Sequence, residues 1–402
     1  MSTPAPTPAA PAAAAAASPA AAPAKPVIST PQIISAMLNH AKGVSDLIIS
    51  PGRPPQVELT SKLVAVQVPG VTVLSAEDTA RIAQDLIGQN KQAFQQLKDD
   101  GSADLSYSLP QQSRFRVNIF RQRGTYAIVM RVIPTKIPTF EDLKLPEALK
   151  EIAHLKNGIV LVTGPTGSGK SSTLAAIIDM INSHYAEHII TIEDPIEFMH
   201  PHKMATIHQR ELHSDTPSFS LALRAALRQA PKVILVGEMR DKETIEIALT
   251  AAETGHLVFS TLHTIDASKT VERVVGVFPM ADQATIRQRL GASFRYFISQ
   301  RLLPKKDGSG RVAVLEILKS TMRTREYVEK GEEEGRSLLD AMRDGAIDGM
   351  QYFDGEIEKL IRNGTITMDT GLGYASNAGN LRLQISDLTG DEKPAEDDGI
   401  ER

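Results

Sequence analysis

The segment GPTGSGKSST, which begins at Gly164, constrains the fold of this 402-residue chain more than any other feature. Its first eight residues match G-x-x-x-x-G-K-[ST], a loop whose glycines let backbone amides turn inward around phosphate oxygens. The apolar run GIVLV precedes the loop, and the helix-like run STLAAIIDMIN follows it. Because strand, loop and helix occur in the order that such a loop requires, we predict a nucleotide-binding P-loop here.

The residues of this loop have separate expected roles. Lys170 would neutralise charge on the β- and γ-phosphates, and Ser171 would hold Mg²⁺. The predicted nucleotide-binding residues of the loop are Gly164, Pro165, Thr166, Gly167, Ser168, Gly169, Lys170, Ser171 and Ser172.

The sequence around the loop predicts an α/β fold. The apolar runs GIVLVTG, HIITIED, KVILVGEM and HLVFSTL are each followed by helix-like sequence. Continuous apolar runs separated by helices are typical of a parallel sheet covered on both faces, and ligands bind such a sheet beyond the carboxyl ends of its strands. We therefore predict a P-loop domain over residues 147–320, with helices following over residues 321–385.

The preceding residues predict a smaller α+β domain over residues 27–137. Helical patterns begin at TPQIISAML and at SAEDTARIAQDLIGQN, and DLIIS and KLVAVQV read as strands. The segments ADLSYSL, RFRVNIFRQ and TYAIVMRVI alternate as antiparallel strands do. Residues 138–146 are the expected linker. The Ala/Pro-rich residues 1–26 and the acidic residues 386–402 are predicted to be a disordered arm and a disordered tail.

Composition argues against several classes of protein. The chain has no cysteine, which excludes disulfides and cysteine-ligated zinc. Its 44 basic and 48 acidic residues leave a net charge of −4, which argues against a protein that mainly coats nucleic acid or an anionic membrane. No run of about 18 apolar residues occurs, so no transmembrane helix is expected.

Acidic residues follow two of the predicted strands. Glu238 ends KVILVG, where P-loop enzymes usually place an acid that manages Mg²⁺. The segment TIEDPIEF places Glu193, Asp194 and Glu197 within five residues. Glu197 lies where a general base for hydrolysis could reach the γ-phosphate, but spacing alone favours a solvated acidic turn.

Two histidines flank the strand in TGHLVFSTLHT. In an extended strand, His256 and His263 would lie about 23 Å apart at about 3.3 Å per residue, too far to share one metal ion. His263 is expected at the carboxyl end, as a phosphate contact or a core residue, and His256 at the opposite end in a structural or interfacial role. The other histidines considered as metal ligands are interpreted as residues of solvated loops: His200, His202, His208 and His213.

The smaller domain carries five arginines within eighteen residues. A P-loop site often requires an arginine delivered from elsewhere to stabilise transition-state charge, but a solvated basic sheet face explains the pattern as well. These arginines are Arg114, Arg116, Arg121, Arg123 and Arg131.

The segments GPTGSGKSST, TIEDPIEF, VILVGEMRD and TGHLVFSTLHT resemble, in this order, the Walker A motif, aspartate box, Walker B motif and histidine box of the secretion ATPases of type II and type IV pilus systems. RFRVN, MRVIP and ETGHLVFSTLHT are most similar to the PilT/PilU retraction branch of that family. The segment GMQYFDGEIEKLIRNGTIT resembles the C-terminal ending of its PilU members. The resemblance covers roughly residues 30–385.

This resemblance implies a homohexamer that uses ATP and Mg²⁺, each subunit having a PAS-like N-terminal domain and a RecA-like ATPase domain. It implies that Glu197 is the catalytic base and that Ser171 and Glu238 act on Mg²⁺. Glu238 would act on the ion directly or through a water. The further site residues that it implies are Glu193, Asp194 and His256 at the nucleotide, His263 in catalysis, and Arg116 and Arg131 at the γ-phosphate.

The resulting hypothesis is a cytoplasmic motor ATPase, peripheral at the inner face of the cytoplasmic membrane, that powers pilus retraction alone or as an accessory to a partner retraction ATPase. An inner-membrane pilus platform protein is its expected partner. A pilus extension or type II secretion ATPase is an alternative, which the absence of a four-cysteine zinc site disfavours. A RecA-like nucleic-acid translocase is another, which 4% aromatic residues, no Trp and no basic excess disfavour.

Overall fold

A computed structural model describes residues 28–389 of the chain, apart from Ser61 and Thr135. The predicted disordered arm over residues 1–26 lies outside the described residues, as does the predicted acidic tail beyond residue 389. The first four residues that we had assigned to this tail, Ser386–Thr389, form a short helix.

Helices and strands make up the N-terminal region, as its sequence predicted. In chain order they are α1 (Thr30–Leu38), β1 (Asp46–Ile49), β2 (Gln56–Leu59), β3 (Lys62–Ala65), α2 (Ala76–Ile87), α3 (Lys91–Asp99), β4 (Ser102–Leu109), β5 (Ser113–Gln122) and β6 (Thr125–Ile133). The strands form a six-stranded sheet of order β3-β2-β1-β6-β5-β4. Helix α2 begins as predicted, because Ser75 and Asp78 each accept a hydrogen bond from the other's backbone amide. Strand β2 and helix α3 were not predicted.

The P-loop region continues with helices and strands in alternation. They are α4 (Phe140–Leu143), a 3-10 helix (Glu147–His154), β7 (Gly158–Thr163), α5 (Lys170–His184), β8 (His188–Glu193), β9 (Thr206–Glu211), α6 (Phe219–Ala226), β10 (Val233–Val236), α7 (Lys242–Glu253), β11 (Leu257–Leu262), α8 (Ala267–Gly276), α9 (Met280–Ser293), β12 (Phe294–Pro304) and β13 (Arg311–Lys319). The C-terminal elements are α10 (Met322–Lys330), α11 (Leu338–Asp344), a 3-10 helix (Ala346–Asp348), α12 (Phe353–Arg362), α13 (Met368–Tyr374), α14 (Ala378–Gln384) and α15 (Ser386–Thr389).

A seven-stranded sheet of order β13-β12-β7-β11-β10-β8-β9 forms the centre of this region. The pairs β7–β11, β11–β10 and β10–β8 are parallel, and every residue of β7 and β11 is buried. Alternate residues of β7 point into two different apolar clusters, Ile159 and Leu161 into one and Val160 and Val162 into the other. Helices therefore cover both faces of the sheet, as the continuous apolar runs predicted.

The two edges of the sheet were not predicted. Strand β9 pairs in parallel with β8 at one edge, with Glu211 opposite Glu193. At the other edge, β12 pairs in parallel with β7 and in antiparallel with β13, which forms a hairpin. The sequence of β9, TIHQRE, is polar and does not read as a strand of a buried sheet. An edge strand can be polar because it is buried on fewer sides than a central one.

The chain divides into two compact units. One comprises the described residues up to Gly88 together with Ile119–Met130, and the other comprises Gln89–Asn118 together with the described residues from Arg131 onward. The domain boundaries inferred from the sequence remain a prediction, and the predicted linker over residues 138–146 contains α4. Within the part of the chain that the structure describes, no helix combines the length and the apolar composition needed to cross a membrane.

Glu316 of β13 is a buried carboxyl group at the start of α8. Its Oε1 accepts a hydrogen bond of 2.8 Å from the backbone amide of Ala267. Burial raises the pKa of Glu316 from its ordinary value of 4.5 to about 7, and the nearby charge of Asp266 acts in the same direction, against the amide and Arg301.

We predict that Glu316→Gln removes a pH-dependent loss of stability. Since the pKa is higher in the folded than in the unfolded chain, the free energy of unfolding falls as pH rises from about 4.5 to about 7, by on the order of 3 kcal/mol from this group. The amide oxygen of Gln still accepts from Ala267 but does not titrate. Chemical unfolding of both proteins between pH 5 and 8 measures the effect, and a stability difference that is the same at both ends of this range contradicts it.

Candidate active site

The carboxyl ends of the parallel strands open onto a cavity of about 550 Å³. This volume lies within the range of small-molecule sites, about 300–1,000 Å³. The predicted site residues that line the cavity are Thr166, Gly167, Gly169, Lys170, Ser171, Ser172, Glu193, Asp194, Glu197, Glu238 and His263. Four motifs that are distant in the sequence thus meet at the carboxyl ends of the parallel strands, where a ligand site was predicted.

Gly164 allows the P-loop to lie directly against strand β12. Its φ is +140°, and a Cβ atom at this position would lie 2.3 Å from the backbone oxygen of Gln300 and 2.7 Å from Ser168 Oγ. Only a residue without a side chain permits both the left-handed backbone and this close approach. Gly164, Pro165 and Ser168 do not line the cavity themselves.

Gln300 supports the beginning of helix α5 and was missed by the sequence analysis. Its Oε1 accepts a hydrogen bond of 2.8 Å from Thr173 Oγ1, and both side chains are buried. Its Nε2 would lie 2.8 Å from a Cβ at Gly169. Gln300 lies far along the chain in the unpredicted strand β12, so no local pattern indicated this contact.

Lys170 is buried at the start of α5 and folds back onto its own loop. Its Nζ donates to the backbone oxygens of Gly164 at 2.8 Å and Pro165 at 3.1 Å. Burial lowers the pKa of Lys170, while the charges of Glu238 and Glu197 oppose that change. The ammonium group is therefore held among carbonyl oxygens that phosphate oxygens can replace.

Glu238 is the centre of a charge cluster at the end of β10. Its Oε2 lies 2.7 Å from Arg240 NH2 and 3.5 Å from His263 Nε2. Burial raises the pKa of Glu238, but Arg240 and His263 outweigh burial and hold it below its ordinary value, so this carboxylate is ionised. Arg240 also lines the cavity. Its place two residues after the predicted acid was a signal that the sequence analysis did not use.

Glu193, which ends β8, and Glu197, in the loop that follows it, occupy different environments. Burial raises the pKa of Glu193, whose carboxyl group accepts from Thr191 Oγ1 at 2.7 Å, Gln209 Nε2 at 3.2 Å and the backbone amide of Glu197 at 3.4 Å. The exposed side chain of Glu197 lines the cavity. Glu193 thus binds the loop itself, whereas Glu197 is accessible to a ligand.

The two histidines of TGHLVFSTLHT lie at opposite ends of β11. His263 faces the cavity next to Glu238, whereas the ring Nδ1 of His256 lies 2.9 Å from the backbone oxygen of Ala251, at the end of α7. His256 does not line the cavity. No group of three or more His, Asp or Glu within the described residues is arranged to hold a metal ion.

The interpretation of His200 as a solvated loop residue is wrong, and His208, although exposed, lies in a strand and not in a loop. His200 lines the cavity, and burial lowers its pKa to about 4, so that its ring is neutral at neutral pH. His208 belongs to strand β9, where its Nδ1 lies 2.9 Å from His188 Nε2. Both errors follow from missing β9, which organises this part of the chain.

Arg116 and Arg131 have exposed side chains, and neither lines the cavity. The arginines that do line it are Arg240 and Arg311, the latter at the first residue of β13. A role of Arg116 and Arg131 at a phosphate group therefore remains a prediction.

Comparison with known proteins identifies the family of this chain. Residues 80–369 match the family described as Type II/IV secretion system protein. The chain is 44% identical over 329 residues to the type IV pilus retraction ATPase PilT of Pseudomonas aeruginosa, covering 82% of this chain and 93% of that protein. It is 40% identical over 344 residues to the type IV pilus ATPase PilU of the same organism, covering 86% and 88%.

A solved structure is similar to the whole described fold. The crystal structure of the pilus retraction motor PilT with bound ADP aligns with a TM-score of 0.78 at 40% identity, covering 89% of this chain and 100% of that one. This similarity confirms the predicted fold class, an N-terminal α+β domain followed by a RecA-like P-loop domain with C-terminal helices.

We predict that Gly164→Ala weakens nucleotide binding at least tenfold, because its Cβ would push the P-loop away from Gln300. Gly331→Ala, outside the cavity, is the matched control. The φ of Gly331 is +97°, so alanine strains the backbone there too, but no atom lies within 4 Å of the added Cβ. Titration of both variants with a fluorescent ADP analogue measures the affinities, and equal losses in the two variants contradict the proposed role of the close approach.

Proposed function

Because this chain belongs to the Type II/IV secretion system protein family, we propose that it is a motor ATPase that drives type IV pilus retraction. The observation that carries the proposal is the meeting of Lys170, Glu197, Glu238 and His263 around one cavity. The similarity to PilT and PilU over more than four fifths of the chain supports retraction as the work that hydrolysis performs.

The proposed chemistry is attack of water on the γ-phosphate of ATP, which breaks the bond to the leaving ADP. Glu197 orients the water and takes its proton, because its carboxylate is exposed in the cavity and close enough to Lys170 for their charges to interact. Lys170 exchanges the oxygens of Gly164 and Pro165 for phosphate oxygens. His263 contacts Glu238 and responds to whether this part of the cavity is occupied.

The donors at this edge fit Mg²⁺. The hydroxyl group of Ser171 and the carboxylate of Glu238 both line the cavity, and oxygen atoms are the ligands that Mg²⁺ takes in proteins. When bound, Mg²⁺ neutralises charge on the phosphate oxygens. Ser171 and Glu238 would hold the ion, and Glu238 would do so while it also contacts Arg240 and His263.

The remaining site residues have proposed roles that depend on assembly. Asp194 and the P-loop residues that line the cavity contact the nucleotide, and His256 acts at a boundary with another subunit. Arg116 and Arg131 are exposed and outside the cavity wall, so their proposed contact with the γ-phosphate requires movement or a neighbouring subunit. A homohexamer provides such a neighbour.

The proposed place of action is the cytoplasmic face of the inner membrane, at a pilus platform protein. The PilU-like C-terminal sequence supports an accessory motor that works with a partner retraction ATPase. The identities to PilT, 44%, and to PilU, 40%, are similar, so they do not favour an independent motor over an accessory one.

We predict that Lys170→Ala and Glu197→Gln each strongly lower ATP hydrolysis by the purified protein. Lys170→Ala should also weaken ATP binding, because it removes the cation at the phosphates. Glu197→Gln should keep binding and lower kcat by about 10²–10⁴-fold, since it removes only the base. Phosphate release measures hydrolysis, and nucleotide titration measures ATP binding. Full hydrolytic activity in both variants would contradict the assignment of the site.

Deletion of the gene tests the work that the motor performs. We expect long or numerous pili and loss of twitching motility, because pilins are added but not removed. Complementation with the Glu197→Gln variant should not restore motility. Cells without pili after deletion would instead indicate an extension motor, and ATP hydrolysis stimulated by DNA or RNA would indicate a nucleic-acid translocase.

A further inference from the structure

Arg114 forms an ion pair with a carboxylate behind the candidate active site. It lies at the start of β5, in the stretch Gln89–Asn118 that belongs to the same compact unit as the cavity. Its NH2 donates to Glu211 Oε2 at 2.8 Å. The Arg114 side chain is 18% exposed and that of Glu211 only 3%, so water screens this pair little.

Glu211 connects this ion pair to the loop that carries Glu197. It ends strand β9, directly opposite Glu193 at the end of β8. The same Oε2 that binds Arg114 accepts a hydrogen bond of 2.9 Å from the backbone amide of Ile196. Ile196 is buried and immediately precedes Glu197.

Two carboxyl groups therefore hold two consecutive amides of this loop. Glu211 holds the amide of Ile196 at 2.9 Å, and Glu193 holds that of Glu197 at 3.4 Å. A buried carboxylate requires a counter-charge or it takes up a proton, and Arg114 supplies that charge to Glu211. Without Arg114, the buried Glu211 carboxylate would lack its counter-charge and would turn toward water, which would release the amide of Ile196.

We propose that Arg114 is a positioning residue for hydrolysis, which acts through Glu211 and Ile196 to hold Glu197 in place. This inference rests on the proposed role of Glu197 as the base. Arg114 does not line the cavity, so its effect falls on the position of the base and not on contacts with nucleotide. We therefore expect it to change kcat and to leave KM nearly unchanged.

Steady-state ATP hydrolysis by the full-length protein tests the proposal. Arg114→Ala should lower kcat by about tenfold or more, with KM within about twofold, because a misplacement of about 1 Å at a reacting group can cost about 10²-fold in rate. Arg289→Ala is the matched control, because Arg289 pairs with Glu253 at 2.7 Å and neither residue lines the cavity. Its kcat should stay within about twofold of the unmodified protein.

The Glu197→Gln background separates positioning from general destabilisation. Single-turnover rates should show no further decrease when Arg114→Ala is added to Glu197→Gln, since Arg114 acts through the group already removed. Equal losses from Arg114→Ala in both backgrounds would mean that it supports the fold alone, and would overturn the inference. Arg114→Lys should retain part of the rate, because it keeps the charge but not the geometry of the guanidinium group.

A second variant keeps the test decisive if Arg114→Ala folds poorly. Glu211→Gln keeps an oxygen that accepts from Ile196 but needs no counter-charge. Adding it to Arg114→Ala should restore folding and raise kcat at least threefold above that of Arg114→Ala, whereas no recovery contradicts the proposed counter-charge. If Lys170→Ala and Glu197→Gln are both fully active, the proposed function fails. If they are inactive and Arg114→Ala keeps its kcat, only this inference fails.

Discussion

Parallel pairing of β7, β11, β10 and β8 is the constraint on which the candidate site depends. In this register Thr163 lies opposite Leu262, and Val236 lies opposite both Ser260 and Ile192. The carboxyl ends of all four strands therefore lie on the same side of the sheet. These strands are buried on both faces, and their polar functional groups therefore follow the last buried residues. The P-loop, both acidic segments and His263 meet there for this reason.

Contacts between backbone and buried polar groups hold the loops at this edge in position. The P-loop lies against the backbone oxygen of Gln300, which requires glycine at residue 164. The loop after β8 is held by Glu193 and Glu211, whose carboxyl groups accept from its amides. Loops fixed in this way keep reactive side chains in one arrangement, which lowers the cost of forming the site when a ligand binds.

The sequence predicted the central strands and the motifs at their ends, but not the edges of the sheet. Central strands such as VILV are continuous apolar runs, which periodicity detects readily. Strand β9, with the sequence TIHQRE, is polar, and its membership of the sheet depends on pairing with β8. Missing β9 led to the wrong interpretation of His200 and hid Glu211, although both contribute to the surroundings of the loop that carries Glu197.

By itself the sequence determined the strand–loop–helix of the P-loop, the position of Glu238 after its strand, and the separation of His256 from His263, because each depends on local spacing along the backbone. Only the tertiary structure decided that Glu193 binds its own loop, that Arg240 neutralises Glu238 and that Gln300 supports the P-loop. These contacts depend on strand register and on the direction in which side chains point. Packing across the whole sheet sets both, and no local pattern records them.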